Sequence, residues 1–327
     1  MEFLIGGLSS CGAVIVTNPL EVAKTRIQLQ GELQARGCYP VHYRNVFHAI
    51  LTIGTKDGVR AIQSGLAPAM CYQFCQNGFR LGAFQLMEDS DLTRNEDGSV
   101  SFSRSVLAGA AAGSVGAFLA SPLYMIKTQL QSSTRVQAIA VGFQHRHVTM
   151  FDALATAWTN GGVRGLWRGA SAATLRVSAG SSVQLGTFSK ARSLLQERFP
   201  LLQEYPMLAT FFASLASGSV HCLFMTPFDV VCTRLYNQGV DQSTKKGLYY
   251  DGVLDCFRKT FRSEGVLGFY KGVTAVISRC GPHTVITLML WQTLKALNEK
   301  RLCDRVPPST SGAEIISLSG QSAKLNA

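Results

Sequence analysis

The stretch Pro19-Leu20-Glu21-Val22-Ala23-Lys24-Thr25-Arg26-Ile27-Gln28 decides the fold of this chain, because its pattern occurs three times. The second copy is PLYMIKTQLQ at residues 122–131, and the third copy is PFDVVCTRLY at residues 227–236. The prolines that open the copies lie 103 and 105 residues apart. A period of this length indicates that the chain is built from homologous units.

A second motif follows each copy of the first at a similar distance. It ends in Gly65, Gly169 and Gly272, which lie 104 and 103 residues apart. Two motifs that share one period make chance similarity a poor explanation. The sequence therefore predicts three repeats and a flexible tail rich in Ser, Pro and Gly, at residues 1–100, 101–200, 201–301 and 302–327.

Each repeat contains two apolar stretches of about the length that crosses a bilayer core. They cover residues 3–20, 66–87, 106–126, 170–189, 205–228 and 273–294. Two spans per repeat return the chain to its starting side, so the polar segments between them, which contain short helical patterns, all face one side. We expect an all-α membrane protein with six transmembrane helices in three pseudo-symmetric two-helix repeats, with short helices on one side, around a central cavity.

The composition agrees with this class. Only 16% of the 327 residues are charged and 46% are hydrophobic, which excludes a disordered chain and argues against an ordinary soluble surface. The formal net charge of +11 fits nucleic-acid binding or loops on the negative side of a membrane. Six apolar stretches disfavour nucleic-acid binding, because that function requires a soluble chain with basic and aromatic patches.

The sequence contains none of the motifs that would indicate a common class of enzyme active site. No P-loop, GxSxG, HExxH or paired-carboxylate motif stands out. The nine cysteines form no CxxC pair and lie mostly in apolar runs, so we expect reduced side chains that fill apolar space. The sequence therefore predicts no enzymatic activity, no cofactor and no metal site.

The second apolar stretch of each repeat contains one arginine in an otherwise uncharged core. These residues are Arg80, Arg176 and Arg279, and no acid lies at a similar depth in the same stretches. An intramembrane arginine is costly and normally faces a cavity or a partner. Guanidinium groups bind carboxylate or sulfate through two hydrogen bonds, so three unpaired arginines predict a small anionic ligand.

The repeat glycines set the heights of these residues. Arg176 and Arg279 each follow their glycine by seven residues, and Tyr72 holds this place in repeat one. Arg80 lies eight residues further along its helix, about 12 Å higher, on the same face as Tyr72 and Gln76. The remaining candidates for substrate contact are Gln73, Val177 and Gln184, the last being nearly as easily explained by helix packing.

The threefold Pro-x-acid-x-x-base-x-base pattern, with its acid-Gly and base-Gly partner motif, resembles the mitochondrial carrier family over about residues 1–300. Finer stretches, at Thr17–Pro19, Gly180–Leu185 and Gly281–Thr284, are similar to the oxaloacetate-carrier branch and its orphan relatives. The resemblance implies an inner-membrane transporter whose loops between paired helices lie in the matrix and whose termini face the intermembrane space. It also implies contact with cardiolipin and bilayer lipid, and function as a monomer.

In this family the acid of the first motif pairs with the base of the next repeat to close the matrix side of the cavity. Applied to this sequence, the rule pairs Glu21 with Lys127 and Asp229 with Lys24. Interfacial snorkelling is the alternative for these side chains, but it does not favour one fixed offset from proline in three repeats. We therefore expect a matrix gate with two ionic bridges.

The third bridge position lacks both charges, because it holds Tyr124 and Cys232. Losing both partners together avoids an uncompensated buried charge. Gln28 and Gln131 occupy the places where family members carry a glutamine that braces the bridges, and Tyr236 replaces the third.

Family members close the cytosolic side with an aromatic-acid-x-x-base pattern late in each even-numbered helix. Here all three acid places are neutral, and an acid occupies one of the base places. The residues at these positions are Gln85, Glu88, Arg192, Gln292 and Lys295. We expect a weak cytosolic gate, held by hydrogen bonds of Gln85 to Arg192 and of Gln292 to Glu88.

In the family, two adjacent residues on the fourth transmembrane helix distinguish one class of substrate from another. Here the pair is Arg176-Val177, which matches neither the acid that amino-acid carriers place after the arginine nor the glycine-aliphatic pair of nucleotide carriers. The resemblance thus implies exchange of small dianions, such as oxaloacetate, other dicarboxylates, sulfate or thiosulfate. The alternative is an uncoupling-type leak of protons or fatty-acid anions.

Overall fold

The computed structural model of the chain describes residues 2–35, 37–90, 102–147, 149–198, 206–241, 243–244 and 246–303. The described residues form helices and connecting loops, with a single isolated bridge between Val240 and Gly247. The expected all-α class is therefore confirmed for this part of the chain. Of the predicted tail at 302–327, residues 304–327 lie outside the described residues.

Long helices alternate with short ones along the chain. The long helices are α1 (Glu2–Leu29), α4 (Leu66–Asp89), α5 (Phe102–Leu119) with α6 (Ser121–Ser132), α8 (Ala170–Arg198), α9 (Pro206–Asn237) and α11 (Val273–Cys303). The short helices are α2 (Val46–Lys56), α3 (Val59–Ile62), α7 (Met150–Leu166) and α10 (Val253–Glu264). Single turns of 3₁₀ helix occur at Gln137–Ile139 and Val266–Tyr270.

The predicted apolar stretches coincide with the long helices, except that 106–126 crosses the break between α5 and α6 and that residue 205 lies outside the described residues. By length and composition, residues 212–237 and 266–298 are each apolar enough to cross a membrane, and the α5–α6 pair is a third candidate that bends by 62°. The bend lies at Ala120, immediately before Ser121 and Pro122, because proline cannot donate a hydrogen bond to the preceding turn.

The long helices pack as a closed ring. Helix α1 contacts α4, α4 contacts α5, α5 contacts α8, α8 contacts α9, α9 contacts α11, and α11 contacts α1. The approach of α4 and α5 is closest at Gly116, where an added Cβ would lie 2.9 Å from the carbonyl oxygen of Gln76. Sequentially adjacent helices therefore neighbour each other in space.

The glycines of the second motif explain the repeat in physical terms. Gly65, Gly169 and Gly272 all have positive φ angles, of 70°, 83° and 77°, which favour glycine. An added Cβ would lie 2.9 Å from Gln131 at Gly65, 3.1 Å from Tyr236 at Gly169, and 3.3 Å from Gln28 at Gly272. Each glycine thus packs against the last residue of the first motif in the next repeat, in cyclic order.

The eight described cysteines outside the terminal turn are free thiols, as expected. Their side chains lie among apolar neighbours at several places in the ring; Cys232 and Cys256, for example, belong to the buried core.

Candidate functional site

A cluster of charged side chains lies buried where α1, α6 and α9 carry the first motif. Lys127 Nζ lies 2.7 Å from Glu21 Oε2, and Lys24 forms an ion pair with Asp229. These are the two ion pairs that the sequence predicts. Each side chain is at most 11% exposed, so the pairs lie in a poorly solvated environment where an unmatched charge is costly.

Two arginines join this charged cluster from α8 and α11. Arg279 Nη1 lies 2.7 Å from Glu21 Oε1, and Arg176 Nη1 lies 3.7 Å from Asp229 Oδ1. The expectation that Arg80, Arg176 and Arg279 are all unpaired is therefore wrong for Arg176 and Arg279. The acids come from other helices at the same depth, which a search within the same stretch does not find.

The charged cluster, defined as Glu21, Lys24, Lys127, Arg176, Asp229 and Arg279, contains four cations and two carboxylates. Its formal excess is two positive charges. The Nε atoms of Arg176 and Arg279 are buried and have no hydrogen-bond partner among the described residues. A further anion can therefore neutralise the excess positive charge of the charged cluster and accept hydrogen bonds from the two Nε–H groups.

Tyrosines occupy the third bridge position. The ring centroid of Tyr124 lies 4.9 Å from that of Tyr72 and 5.2 Å from that of Tyr236. Lys127 Nζ lies 5.3 Å and Arg176 Cζ 5.2 Å from the centroid of the Tyr124 ring, within cation–π distance. This tyrosine cluster, of Tyr72, Tyr124 and Tyr236, replaces the missing ion pair with aromatic packing and cation–π contacts.

The tyrosine cluster also preserves the cyclic order of the repeats. Arg279 of repeat three reaches the acid of repeat one, and Arg176 of repeat two reaches the acid of repeat three. At the equivalent place, Tyr72 of repeat one contacts Tyr124 of repeat two. Arg176 Nη2 also donates to Tyr72 Oη over 3.4 Å, which connects the charged cluster to the tyrosine cluster.

The two glutamines differ in what they support. Gln28 donates from Nε2 to Asp229 Oδ2 over 3.0 Å, so it lies against a bridge as expected. Gln131 donates instead to Asn18 Oδ1 over 3.0 Å. The two oxygens of Glu21 are taken by Lys127 and Arg279, which leaves Gln131 to bond elsewhere.

Arg80 lies apart from the charged cluster. It lines a separate cavity of about 430 Å³ together with Ser181, Gln184 and Ser217. Arg80 makes no hydrogen bond or ion pair with any described residue. The Gln184 side chain is exposed to this cavity, and its backbone carbonyl accepts a hydrogen bond from Ser217 Oγ.

Three other candidates lie in contacts between helices. Gln73 Nε2 lies 3.1 Å from His283 Nε2, whose other ring nitrogen lies 3.3 Å from Thr17 Oγ1. His283 therefore links α11 to α4 and α1. Val177 packs beside Gly113, and the carbonyl of Gln76 faces Gly116.

Of the five residues predicted at the opposite end of the ring, only two have described side chains. Gln292 is exposed, and Lys295 Nζ lies 5.1 Å from the centroid of the Trp291 ring. The side chains of Gln85, Glu88 and Arg192 lie outside the described residues.

The sequence reasoning missed a second set of ion pairs, which we call the repeat latches. Arg26 Nη2 lies 2.8 Å from Asp57 Oδ2, and Arg234 Nη1 lies 2.6 Å from Glu264 Oε1. Both arginine side chains are fully buried. The signal was present in the repeats, because each latch joins the last base of the first motif to the acid that opens the second.

Glu32 lies close to the latch of repeat three. Tyr250 Oη donates to Glu32 Oε1 over 2.9 Å, and Lys271 Nζ lies 2.5 Å from Glu264 Oε2. Burial raises the pKa of Glu32 to about 7, although Arg234 and the Tyr250 hydrogen bond act to lower it. Contacts with Arg234 and Lys271 hold the pKa of Glu264 below its ordinary value.

The chain is similar to known proteins over most of its length, and a family model matches it in three successive ranges. The sequence model of the family described as mitochondrial carrier protein matches residues 1–91, 98–199 and 203–301. Human solute carrier family 25 member 35 is 50% identical over 297 residues, covering 91% of this chain and 98% of the relative. The mitochondrial citrate transporter E of Aspergillus niger is 42% identical, over 93% of this chain and 94% of the relative. The mitochondrial oxaloacetate transport protein of Saccharomyces cerevisiae is 39% identical, over 90% and 89%.

Proposed function

We propose that the chain, which belongs to the mitochondrial carrier family, exchanges small dianions by alternating access. Members of this family are transporters of the mitochondrial inner membrane and not enzymes. The family binds small anionic substrates. The cargo that we propose is oxaloacetate or another small dicarboxylate, with sulfate or thiosulfate as further candidates. Two relatives are named for oxaloacetate and citrate, which are carboxylates.

The excess of two positive charges in the charged cluster carries this proposal. A dianion neutralises that excess, whereas a neutral or zwitterionic cargo leaves it in place and a trianion exceeds it. Arg176 and Arg279 each retain a buried Nε that has no described partner. Planar guanidinium groups with free donors match carboxylate and sulfate oxygens.

The same contacts suggest how cargo opens the closed end of the ring. A bound dianion competes with Glu21 for Arg279 and with Asp229 for Arg176, because each arginine is held by an acid of the first motif. Each carboxylate then retains its lysine as its one cationic partner among the residues of the charged cluster. Binding to the arginines offsets the free energy lost as the Glu21–Lys127 and Asp229–Lys24 bridges separate. In this mechanism Glu21, Lys24, Lys127, Asp229, Gln28 and Gln131 form the matrix gate.

The proposed arrangement in the membrane has six spans in three pseudo-symmetric repeats around a central cavity. The repeats that we propose are residues 1–100, 101–200 and 201–301, and the three successive ranges that the family model matches support a threefold division. The short helices α2, α7 and α10 lie in the matrix, and both termini face the intermembrane space. The ring of helix contacts and the kink at Pro122 support this arrangement.

The opposite gate closes the cavity toward the intermembrane space. We assign it to Gln85, Glu88, Arg192, Gln292 and Lys295, and we expect it to be weak because the acid places are neutral. Arg80 and Gln184 line the cavity of about 430 Å³ and would meet cargo above the charged cluster. Tyr72, Gln73, Gln76 and Val177 complete the proposed substrate residues.

The proposed partners are the anionic cargo, cardiolipin and bilayer lipid, with no nucleic acid. A cavity of about 400 Å³ between Arg168 and the segment Tyr250–Gly252 offers backbone and cationic groups to a lipid phosphate. One chain supplies the complete ring of long helices, which supports function as a monomer.

A second candidate function is a leak of protons or fatty-acid anions through the same cavity. It is favoured by the third bridge position, where Tyr124 and Cys232 leave that one position of the gate without an ion pair. Such a leak would move protons under a membrane potential with no cargo present.

Exchange into liposomes that contain the purified protein tests the proposal. The liposomes are loaded with oxaloacetate, malonate, sulfate, phosphate, malate, oxoglutarate, ADP or aspartate, and labelled malonate, malate or sulfate is offered outside. Exchange limited to small dianions is the expected result. Folded protein that exchanges none of them but conducts protons would favour the leak.

A further inference from the structure

Repeat two lacks both charges of its latch. Gln129 stands where the other repeats carry the latch arginine, and Gly161 stands where they carry the latch acid. The backbone turn is retained, because Gly162 has a φ of 57° and holds the place of the positive-φ glycines Gly58 and Gly265. Repeat two therefore keeps the geometry of the latch without its ion pair.

A cavity of about 380 Å³ lies at this vacant latch. Gln129, Gly161, Arg168, His145, His147 and Tyr236 are among the residues that line it. None of the described lining residues is acidic. In repeat three, the place of Arg168 is held by Lys271, whose Nζ lies 2.5 Å from the latch acid Glu264. A carboxylate at the vacant latch would therefore lie within reach of Arg168.

The histidines add hydrogen-bonding capacity to the cavity wall. Their ring centroids lie 5.5 Å apart in a stacked arrangement. His145 Nε2 lies 2.9 Å from the carbonyl oxygen of Asn237 and donates to it. His147 Nδ1 lies 3.8 Å from Asp152 Oδ2. Burial lowers the pKa of His145 to about 4, so this ring is neutral near pH 7 when no anion is bound.

We propose that this cavity binds a small free anion, a carboxylate or inorganic phosphate, which takes the place of the carboxylate that repeat two lacks at residue 161. The anion contacts the guanidinium of Arg168 and the amide of Gln129. It thereby ties α7 to the end of α6 and the start of α8, as the repeat latches tie the short helices of repeats one and three. This site is separate from the charged cluster and does not depend on which cargo the protein carries.

Histidine-selective NMR of the full-length protein in lipid-free detergent tests the proposal. Inorganic phosphate and malonate are titrated separately, and ring signals are assigned by single His→Gln variants. We expect saturable shifts of the His145 and His147 signals. His283 lies beside Gln73 and Thr17, close to the charged cluster, so its signal reports binding at that other site in the same spectrum.

Two variants of the vacant latch sharpen the test. An added Cβ at Gly161 meets no atom within 4 Å, so a larger side chain fits there. Gly161→Glu should restore a carboxylate beside Arg168, raise the thermal midpoint in anion-free buffer and abolish the His145 and His147 shifts. Gly161→Gln is the matched control, because it has similar size and helix propensity but no charge, and it should stabilise the protein less. Arg168→Gln should abolish the shifts without restoring the latch.

The outcomes separate the possible sources of the anion. Shifts of His145 and His147 that appear in lipid-free detergent and persist after cardiolipin is added support the proposal. Three results would overturn it: no shift of these two signals while His283 responds, shifts that appear only with cardiolipin, or unchanged shifts in Gly161→Glu. The third result would place the anion elsewhere on the short-helix side.

Discussion

Arg279 Nη1 lies 2.7 Å from one carboxylate oxygen of Glu21, whose other oxygen lies 2.7 Å from Lys127 Nζ. One acid is thus shared between a bridge that joins α1 to α6 and an arginine of α11, the last long helix. Any anion that displaces Glu21 from Arg279 acts on the bridge at the same time. The substrate residues and the gate residues form a single charged cluster.

Replacing Arg279 should therefore reduce transport more than stability. In Arg279→Gln the Glu21–Lys127 bridge remains paired, whereas the cargo loses a charged donor worth about 1.5–3 kcal/mol, or roughly 10- to 150-fold in affinity. We expect exchange in liposomes to fall by at least that factor while the thermal midpoint in detergent changes little. Arg80→Gln is the matched control and should impair exchange less, because Arg80 lies in a separate cavity. Robust exchange by Arg279→Gln would remove this arginine from the proposed site.

The same reasoning applies to Arg176, with one added consequence. Arg176 contacts Asp229, Tyr72 and the Tyr124 ring, so Arg176→Gln removes a cation from both the charged cluster and the tyrosine cluster. We expect exchange to fall about as far as in Arg279→Gln and the thermal midpoint to fall further. Equal thermal midpoints for the two variants would argue that the cation–π contact contributes no stability.

The repeat pattern predicted the helices and the two ionic bridges because both follow from spacing along one chain. Glu21 and Asp229 each follow their proline by two residues, and Lys127 and Lys24 each follow theirs by five. Residues at these two offsets lie about one turn apart on one helix face, so all four side chains lie at a similar depth. The contacts of Arg176 and Arg279 with those acids were not predictable in the same way. They depend on how far an arginine side chain extends between neighbouring helices, which residue spacing does not specify.

The third bridge position allows a test of the gate through restored charge. Tyr124→Asp with Cys232→Arg should rebuild the missing pair, stabilise the state in which the bridges are closed, and slow exchange. Cys232→Arg alone adds a fifth cation to a buried region, and we expect it to lower stability by about 3–5 kcal/mol. Thermal unfolding of both single variants and the double variant gives the coupling between the two positions. A double variant no more stable than the sum of its parts would argue against a bridge at this position.

The latch of repeat three should be essential for stability. Glu264 accepts from Arg234 through both carboxylate oxygens, over 2.6 and 2.9 Å, and also pairs with Lys271. Glu264→Gln removes the carboxylate that both buried cations contact directly, which we expect to cost about 3–5 kcal/mol. Asp255→Asn is the matched control on the same short helix; its exposed i,i+4 pair with Lys259 should contribute less than about 0.5 kcal/mol. Similar thermal midpoints for the two variants would contradict the assigned importance of the latch.

Glu32 should make stability depend on pH in a direction opposite to that of an ordinary ion-paired acid. Its pKa in the folded protein is about 7, above the ordinary value of 4.5, so the folded protein binds this proton more tightly than the unfolded chain does. The stabilisation associated with the proton is present below pH 4.5 and is lost as the pH rises toward 7. In Glu32→Gln the side chain stays neutral throughout. The thermal midpoint of Glu32→Gln minus that of the wild type should therefore increase from pH 5 to pH 7.5. His145 titrates in the same range in both proteins, so its contribution cancels in this difference. A difference that stays constant with pH would show that the pKa of Glu32 in the folded protein equals its ordinary value, because the contacts with Tyr250 and Arg234 offset the effect of its burial.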